Sequence, residues 1–339
     1  MHCFIDIVMN TEQSLYPLKF KPIFKDYLWG GTRLKTVLGK KAKTKTCAES
    51  WEISGVSDNI SVVANGFLRG NSLQELIEVY MGDLVGDKVY ERFGIEFPIL
   101  IKFIDARHDL SIQVHPNDKM AAERHNAYGK TEMWYVLETE IDSSLILGFN
   151  QQVDREKYLR FFNDKKLNDI LNFEKVTSGD VFFIPAGCIH AIGKDIMLVE
   201  IQQTSDVTYR IYDWDRVDAN GNPRELHTEL AVDAIDYSQR NEYRKPYQKA
   251  TQGTAELVKC PYFTTNFVCF SQPLEKNYHK IDSFVVYVCT SGACSITWSP
   301  AEKINIRKGD TILLPAVLNT VRLIPAETTE LLEVFVNSL

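Results

Sequence analysis

Gln113 and His115 stand two residues apart in Leu110-Ser111-Ile112-Gln113-Val114-His115, a run whose period-two alternation is that of a strand, so both side chains leave the same face. Glu132 and His190, placed on later strand-like runs, add a carboxylate and a second imidazole. The four together offer oxygen and nitrogen donors and no thiolate, a set that suits Zn²⁺, with Fe²⁺, Mn²⁺ or Co²⁺ as alternative occupants. A single histidine on a strand is more often a hydrogen-bonded core or surface residue, and Gln113 alone would be read that way. The metal reading rests on the set. His2, His108, His125 and His279 have no partner at ligand spacing, and His227 falls in the first turn of a short helix. Cys188, close to His190, has no activating base in local sequence and reads as a small buried hydrophobe rather than a nucleophile.

An internal repeat supports the set. Gly179-Asp180-Val181-Phe182-Phe183-Ile184-Pro185-Ala186-Gly187-Cys188-Ile189-His190 recurs in outline as Gly309-Asp310-Thr311-Ile312-Leu313-Leu314-Pro315-Ala316-Val317-Leu318-Asn319-Thr320. Each copy is a Gly-Asp turn, a buried strand and a Pro-started turn that sends the chain back. Glu132-Met133-Trp134-Tyr135-Val136 sits in the same way beside Phe284-Val285-Val286-Tyr287-Val288. His190 thus corresponds to Thr320 and Glu132 to Phe284. The backbone signals persist where the polar residues are lost, so His190 and Glu132 serve chemistry in the first copy and are not needed to form the fold.

The elements that must position these residues are mainly strands. Short β-branched and aromatic runs separated by Gly, Pro and Asn occupy Tyr16 to Leu68, Phe97 to Ile104 and the stretch from Val181. Residues 72–93 open with Asn71-Ser72 and Glu75 in capping positions and carry Leu73, Leu76, Ile77, Tyr80 and Met81 at helical spacing, which predicts a helix pair. Residues 154–171 return to a helical pattern, an insertion between strands, and Glu225 to Ile235 makes a short helix. The expected organisation is a disordered extension over 1–14, a catalytic domain over 15–240 with the two helical inserts, a polar linker over 241–256 and a second, ligand-free barrel over 257–339 that packs against the first.

Composition is that of a globular protein: 339 residues, 45% hydrophobic and 24% charged, with 38 Lys plus Arg against 45 Asp plus Glu, a net charge of −7. That balance lacks the basic field of a nucleic-acid binder, although a local cationic pocket for a phosphate remains open. No apolar run approaches the ~18 residues of a membrane helix, so no membrane partner is expected. Seven scattered cysteines without a CxxC pair fit a reducing cytoplasm. The N-terminal Met1-His2-Cys3-Phe4-Ile5-Asp6 run has no basic region and is interrupted by Asp6, unlike a signal peptide, and Met9 is a candidate natural start.

Beyond these readings, Gly179 to His190 resembles the second cupin motif. Longer strings resemble the type I phosphomannose isomerases, the short bacterial group in particular: Leu110-Ser111-Ile112-Gln113-Val114-His115-Pro116-Asn117-Asp118, Gly129-Lys130-Thr131-Glu132-Met133-Trp134-Tyr135 and Glu200-Ile201-Gln202-Gln203-Thr204-Ser205-Asp206-Val207-Thr208-Tyr209-Arg210-Ile211-Tyr212-Asp213. Tyr27-Leu28-Trp29-Gly30-Gly31 and Glu49-Ser50-Trp51-Glu52 fit as well, so the resemblance covers nearly the whole chain from Pro17. It implies a mainly β bicupin, two β-barrel or jelly-roll domains with short helical insertions, and one Zn²⁺ per chain on Gln113, His115, Glu132 and His190. It implies an enzyme interconverting mannose 6-phosphate and fructose 6-phosphate through a cis-enediolate. Arg210 matches the family's active-site arginine and Lys130 a lysine of the substrate pocket, while Lys102, Glu200 and Asp206 match further pocket positions. Within that frame Zn²⁺ orients the sugar oxygens, Arg210 or Lys130 supports the developing oxyanion, and Lys102 or Arg210 meets the phosphate. The base is left between Glu200, Asp206 and Lys130, and Arg210 has the competing role of a structural ion pair with Asp206 or Asp213. The long helical domain of the fungal and animal enzymes is absent. A phosphosugar substrate and a monomer or weak homo-oligomer are expected. The rival readings are another metal-dependent cupin enzyme, such as an Fe²⁺ oxygenase, and a sugar-phosphate-binding regulatory module; cations beside the metal favour the phosphosugar enzyme over the oxygenase.

Overall fold

The computed structural model describes residues 14–337 apart from Ala219, Gln239 and Asn241. The N-terminal extension and the start at Met9 therefore fall outside the described residues, save Ser14. Four antiparallel sheets carry the fold. The first has six strands in the order Ile23–Lys25, Glu49–Ile53, Ile99–Ala106, Ile196–Gln203, Glu132–Thr139, Val181–Ile184. The second has five: Tyr209–Tyr212, Ile112–Val114, His190–Ile192, Ser144–Phe149, Leu171–Lys175. The third and fourth, from the C-terminal half, run Gly253–Lys259, Thr264–Phe270, Thr329–Phe335, Val285–Ser291, Thr311–Leu314 and Leu274–Asn277, Thr320–Pro325, Ala293–Thr297, Lys303–Arg307.

The two halves repeat one strand order. With Ile23–Lys25 and Tyr209–Tyr212 set aside, each strand of the first two sheets has a counterpart at the same place in the third and fourth. Alternation of side chains makes the layers. Ile104, Trp134, Phe182 and Leu198 of the first sheet meet Leu145, Leu147 and Ile192 of the second in one core. Val268, Tyr287 and Ile312 meet Ile296, Ile306 and Leu323 in the corresponding core of the second half. The opposite face of the six-stranded sheet, Ile101, Phe103, Met133, Tyr135 and Val199, packs on Phe267, Phe284, Val286 and Leu332, so a third core joins the halves. The packing role expected for the second half is visible here.

Two sequence expectations need revision. No described sheet closes into a barrel: the edge strand Val181–Ile184 is covered by residues 243–245, with Phe183 N donating to Tyr243 O at 2.9 Å and Lys245 N to Val181 O at 2.8 Å. Its counterpart Thr311–Leu314 is covered by Leu18, whose amide donates to Leu313 O at 2.8 Å. Separate segments satisfy those edges, so the sheets stay open as stacked sandwiches. The copy correspondences also slip by one. Glu132 lies opposite Ile184 and Val285 opposite Leu314, so Val285, not Phe284, takes the place of Glu132. Thr320 is exposed and the next residue, Val321, is buried in the sandwich, although both Pro-started connections, 185–189 and 315–319, are five residues long. The ligand positions are apolar in the second copy all the same.

The helical inserts form largely as expected. The helix Leu73–Val85 starts with a reciprocal Ser72–Glu75 capping box and is followed by Asp87–Phe93. The second insert is shorter than its sequence pattern: the helix Arg155–Asn163 ends before Lys165, at φ 57, and a 3-10 turn Leu167–Ile170 leads into a strand that begins at Leu171. The first strand of the C-terminal half begins at Gly253, inside the expected linker.

Phe267 is fully buried in the core between the halves, its ring stacked on Tyr135 with centroids 6.3 Å apart. Phe267→Ala is expected to cost about 3–5 kcal/mol and to lower the midpoint of a single urea transition. An unchanged midpoint would show that this interface contributes little to stability.

Candidate metal centre and active-site cavity

Two rows of cross-strand neighbours face each other inside the first sandwich. On the six-stranded sheet Trp51, Lys102, Glu200 and Trp134 lie side by side across four strands. On the facing sheet the row is Arg210, Gln113, His190 and Leu147. Glu132 stands two residues before Trp134 on the same strand, and His115 follows the end of the strand that holds Gln113. Period-two geometry thus turns residues distant in sequence into one cluster.

Three of the four expected donors form one cluster, with Gln113 beside it. His115, Glu132 and His190 are buried, with donor atoms all within 4.8 Å of one another. His115 Nε2 is 3.6 Å from Glu132 Oε2, His190 Nε2 is 3.3 Å from Glu132 Oε1, and the Gln113 amide lies 3.2 Å from His190 Nε2. Nδ1 of His115 donates to Val207 O at 3.0 Å and Nδ1 of His190 to Cys188 O at 2.9 Å, which leaves both Nε2 lone pairs facing the cluster. Glu132 Oε1 is buried with no hydrogen-bond donor. An orphaned carboxylate oxygen between two neutral imidazoles is the donor chemistry that a divalent cation satisfies, so these residues fit a metal ion.

Burial governs the electrostatics. It pushes the pKa of His115 well below its ordinary value, helped by the Lys130 charge and by His190, and it pushes His190 down to about 4. Burial and the nearby Glu200 raise Glu132 above the usual carboxylate range. For Glu200 burial acts in the same direction but is overcome by the Lys102 and Lys130 charges, which hold this carboxyl below its ordinary value. Burial would lower Lys102, yet Glu200 and Glu49 reverse the effect and hold it charged. The ion pairs are Lys102 Nζ to Glu200 Oε1 at 3.0 Å and to Glu49 Oε2 at 3.8 Å. The Lys130 ammonium bonds to Glu132 Oε2, lies 3.1 Å from His115 Nε2 and is 4.0 Å from Glu200.

A cavity of about 260 Å³ opens over this floor, and Lys102, Gln113, Lys130, Glu200, Asp206 and Arg210 all line it. Lys102, Lys130 and Glu200 are buried at the bottom; Asp206 is exposed. Arg210 forms no ion pair with Asp206 or Asp213. Its Nη1 donates to Glu225 O at 2.6 Å and its Nε is buried without an acceptor. His227 clamps its backbone: Arg210 N donates to His227 Nδ1 at 3.1 Å and His227 N to Arg210 O at 2.7 Å. Burial and the neighbouring Arg224 lower the Arg210 pKa.

Sequence reading quoted Tyr27, Trp29, Trp51 and Thr208 within matched motifs without giving them a site role, and missed Arg224 in the wall altogether. Arg224 carries the strongest geometric signal: Asp213 holds it through Nε at 2.7 Å and Nη2 at 2.5 Å and also pairs with Arg216. The Pro223-Arg224 step has no spacing rule that would have singled it out. Cys188 is buried and its thiol is pushed up to about 12, which agrees with a packing role.

Comparison with known proteins gives the same picture from outside. Residues 17–140 match the family model of the phosphomannose isomerase type I catalytic domain. The chain is 38% identical over 262 residues to mannose-6-phosphate isomerase ManA of Bacillus subtilis, covering 76% of this chain and 79% of that protein. It is 33% identical over 308 residues to the mannose-6-phosphate isomerase of Streptococcus mutans, 90% of this chain and 93% of the other. The crystal structure of a Bacillus subtilis mannose 6-phosphate isomerase superposes with a TM-score of 0.84 at 30% identity, covering 94% of this chain and 99% of that one.

The histidines make a signed prediction. The folded-state pKa of His190 lies below its unfolded value of about 6.5, so its contribution to stability is complete above pH 6.5 and is lost as pH falls toward 4. Glu132, held above its ordinary value, acts oppositely over part of the range, so the informative quantity is a difference. In metal-stripped protein, wild type is expected to lose more stability than His190→Gln between pH 6.5 and pH 4 in urea melts. Parallel pH profiles would refute a neutral, buried His190.

Proposed function

The chain belongs to the type I phosphomannose isomerase family, and from that membership we propose that it interconverts D-mannose 6-phosphate and D-fructose 6-phosphate at the cavity above His115, Glu132 and His190. The observation that carries this reading is a cavity lined by Gln113, Lys130 and a pair of guanidinium groups, Arg210 and Arg224, beside the His115, Glu132 and His190 cluster, which Lys130 and Gln113 both contact. We read the paired sandwiches as the bicupin expected from the sequence. One Zn²⁺ per chain, held by Gln113, His115, Glu132 and His190, would supply Lewis-acid polarisation of the sugar oxygens.

The remaining chemistry falls to side chains. The reaction moves a proton from C2 to C1 and the hydroxyl proton from O2 to O1, through a cis-enediolate whose charge develops on those oxygens. Lys130, fixed beside Glu132 and Glu200, offers its ammonium to that charge. Lys130 and Glu200 border the metal donors, where C1 and C2 must lie, whereas Asp206 stands exposed. Proton transfer therefore belongs to the Lys130–Glu200 pair, with Asp206 contacting the sugar nearer the mouth. Lys102 is engaged by Glu200 and Glu49, so its role is to keep Glu200 ionised. The phosphate then goes to Arg210 and Arg224, two cations close enough to repel each other until a dianion separates their charges. Asp213 fixes the Arg224 fork for this task without neutralising the pair.

No helix among the described residues is long and apolar enough to cross a membrane. The six described cysteines are all buried free thiols, on which we base a cytoplasmic location. We take the working form to be a monomer or weak homo-oligomer.

Purified protein is expected to convert mannose 6-phosphate and to turn over unphosphorylated mannose poorly. Arg224→Ala should raise KM for mannose 6-phosphate by roughly ten- to a hundredfold, the size of a lost charge-assisted contact, with a smaller change in kcat. Absence of turnover on the phosphosugar would overturn the isomerase reading, and an unchanged KM would remove Arg224 from the phosphate site.

A further inference from the structure

A hydroxyl of the second half, that of Tyr262, bonds to Asp118, which in turn bonds to the segment that carries Lys130. Lys130 is on no strand or helix; it lies in the short link before the Glu132–Thr139 strand, yet its ammonium must be held between Glu132 and Glu200. The link is held from both sides. Asp118, in the first turn of the helix Asp118–His125, accepts Gly129 N at 2.9 Å and Gln203 Nε2 at 2.8 Å through Oδ1. Gln203 in turn accepts Thr131 N at 2.8 Å through Oε1, and its backbone N donates to Thr131 O at 3.1 Å. Lys130 N donates to Pro116 O at 3.2 Å. A side chain at Gly129 would place its Cβ 2.6 Å from Asp118 N, so only glycine lets the link approach this closely. The bonds to Gly129 N and Gln203 Nε2 depend on the orientation of the Asp118 carboxylate. Its other oxygen, Oδ2, accepts the Tyr262 hydroxyl at 2.7 Å. Tyr262 belongs to the turn between the first two strands of the C-terminal half, closed by Cys260 N donating to Phe263 O at 3.0 Å.

We propose that Tyr262 is a positioning residue for Lys130, so that the C-terminal half takes part in the isomerase reaction through the path Tyr262, Asp118, Gly129 and Gln203. The catalytic part of this inference rests on the isomerase reading; the mechanical part does not. Burial and the hydrogen bond to Asp118 raise the Tyr262 pKa to about 12, which keeps the phenol a donor at working pH. A phenol to carboxylate bond removes one rotational freedom of Asp118. Removing it would let the carboxylate turn away from Gly129 N and Gln203 Nε2 together.

The test compares Tyr262→Phe, which keeps the ring and removes the hydroxyl, with Arg92→Ala, which removes the contact of Arg92 Nη1 with Pro261 O at 3.4 Å in the same turn but leaves Asp118 alone. In full-length, zinc-loaded protein, Tyr262→Phe should lower kcat three- to tenfold with KM for mannose 6-phosphate within about twofold of wild type. Metal content should be unchanged, and Arg92→Ala should keep wild-type kcat. Hydrogen exchange of the peptide spanning Asn126 to Glu132 should accelerate in Tyr262→Phe only. Unchanged exchange and kcat in Tyr262→Phe would overturn the proposal, as would equal effects in both variants. If wild type itself fails to turn over, the isomerase reading falls, while the exchange comparison still decides whether Tyr262 holds the link.

Discussion

Two carboxylates, Glu132 and Glu200, lie buried inside one sandwich, and the cost of desolvating them is the constraint on which the rest of the structure depends. A buried ion left unpaired costs several kcal/mol, so cations must be supplied inside the fold. Lys102 and Lys130 meet Glu200 from two sides, and Lys130 also meets Glu132, whose second oxygen is left for a metal. Among the described residues the second half meets the same constraint with side-chain partners. Glu333, opposite Tyr287 as Glu200 is opposite Trp134, is buried and takes Lys276 at 2.8 Å, Tyr278 at 2.6 Å and Asn266 at 2.8 Å. One scaffold thus accommodates an internal carboxylate at the same place twice, and only the first copy retains the metal donors.

Under the proposed isomerase reading, the charges that make Glu132 and Glu200 tolerable are also those an enediolate would need. They are fixed before substrate arrives, so little reorganisation accompanies charge development. In the proposed reaction the tasks are divided among the lining residues: proton movement and oxygen polarisation at Lys130, Glu200 and the metal donors, phosphate recognition at Arg210 and Arg224. On that reading a phosphosugar held at both ends would have its C1 and C2 delivered to the metal donors by a group that takes no part in the chemistry.

Much of this was legible in the residues. Period-two spacing placed Gln113 and His115 on one face, Ser72 and Glu75 announced a helix start, and the decayed repeat separated fold from chemistry. What could not be read depends on pairings distant in the chain. The row Trp51, Lys102, Glu200 and Trp134 exists only through strand register. Arg224 acquires its meaning from Asp213, and Tyr262 from Asp118, each by a single side-chain bond with no sequence period. The open sandwiches follow from residues 18 and 243–245 covering two edges, segments that look like ordinary loops. The one-residue slip between the copies is a matter of strand register, which the sequence correspondence alone does not carry and which alternation turns into a change of face.

The most direct test of a metal-centred isomerase is turnover of mannose 6-phosphate to fructose 6-phosphate by the same preparation before chelation, after chelation and after zinc return, with bound metal measured at each stage. The account predicts activity that disappears with the metal and returns as zinc approaches one per chain. Full activity in protein shown to be free of metal, or zinc bound at one per chain without turnover, would contradict it.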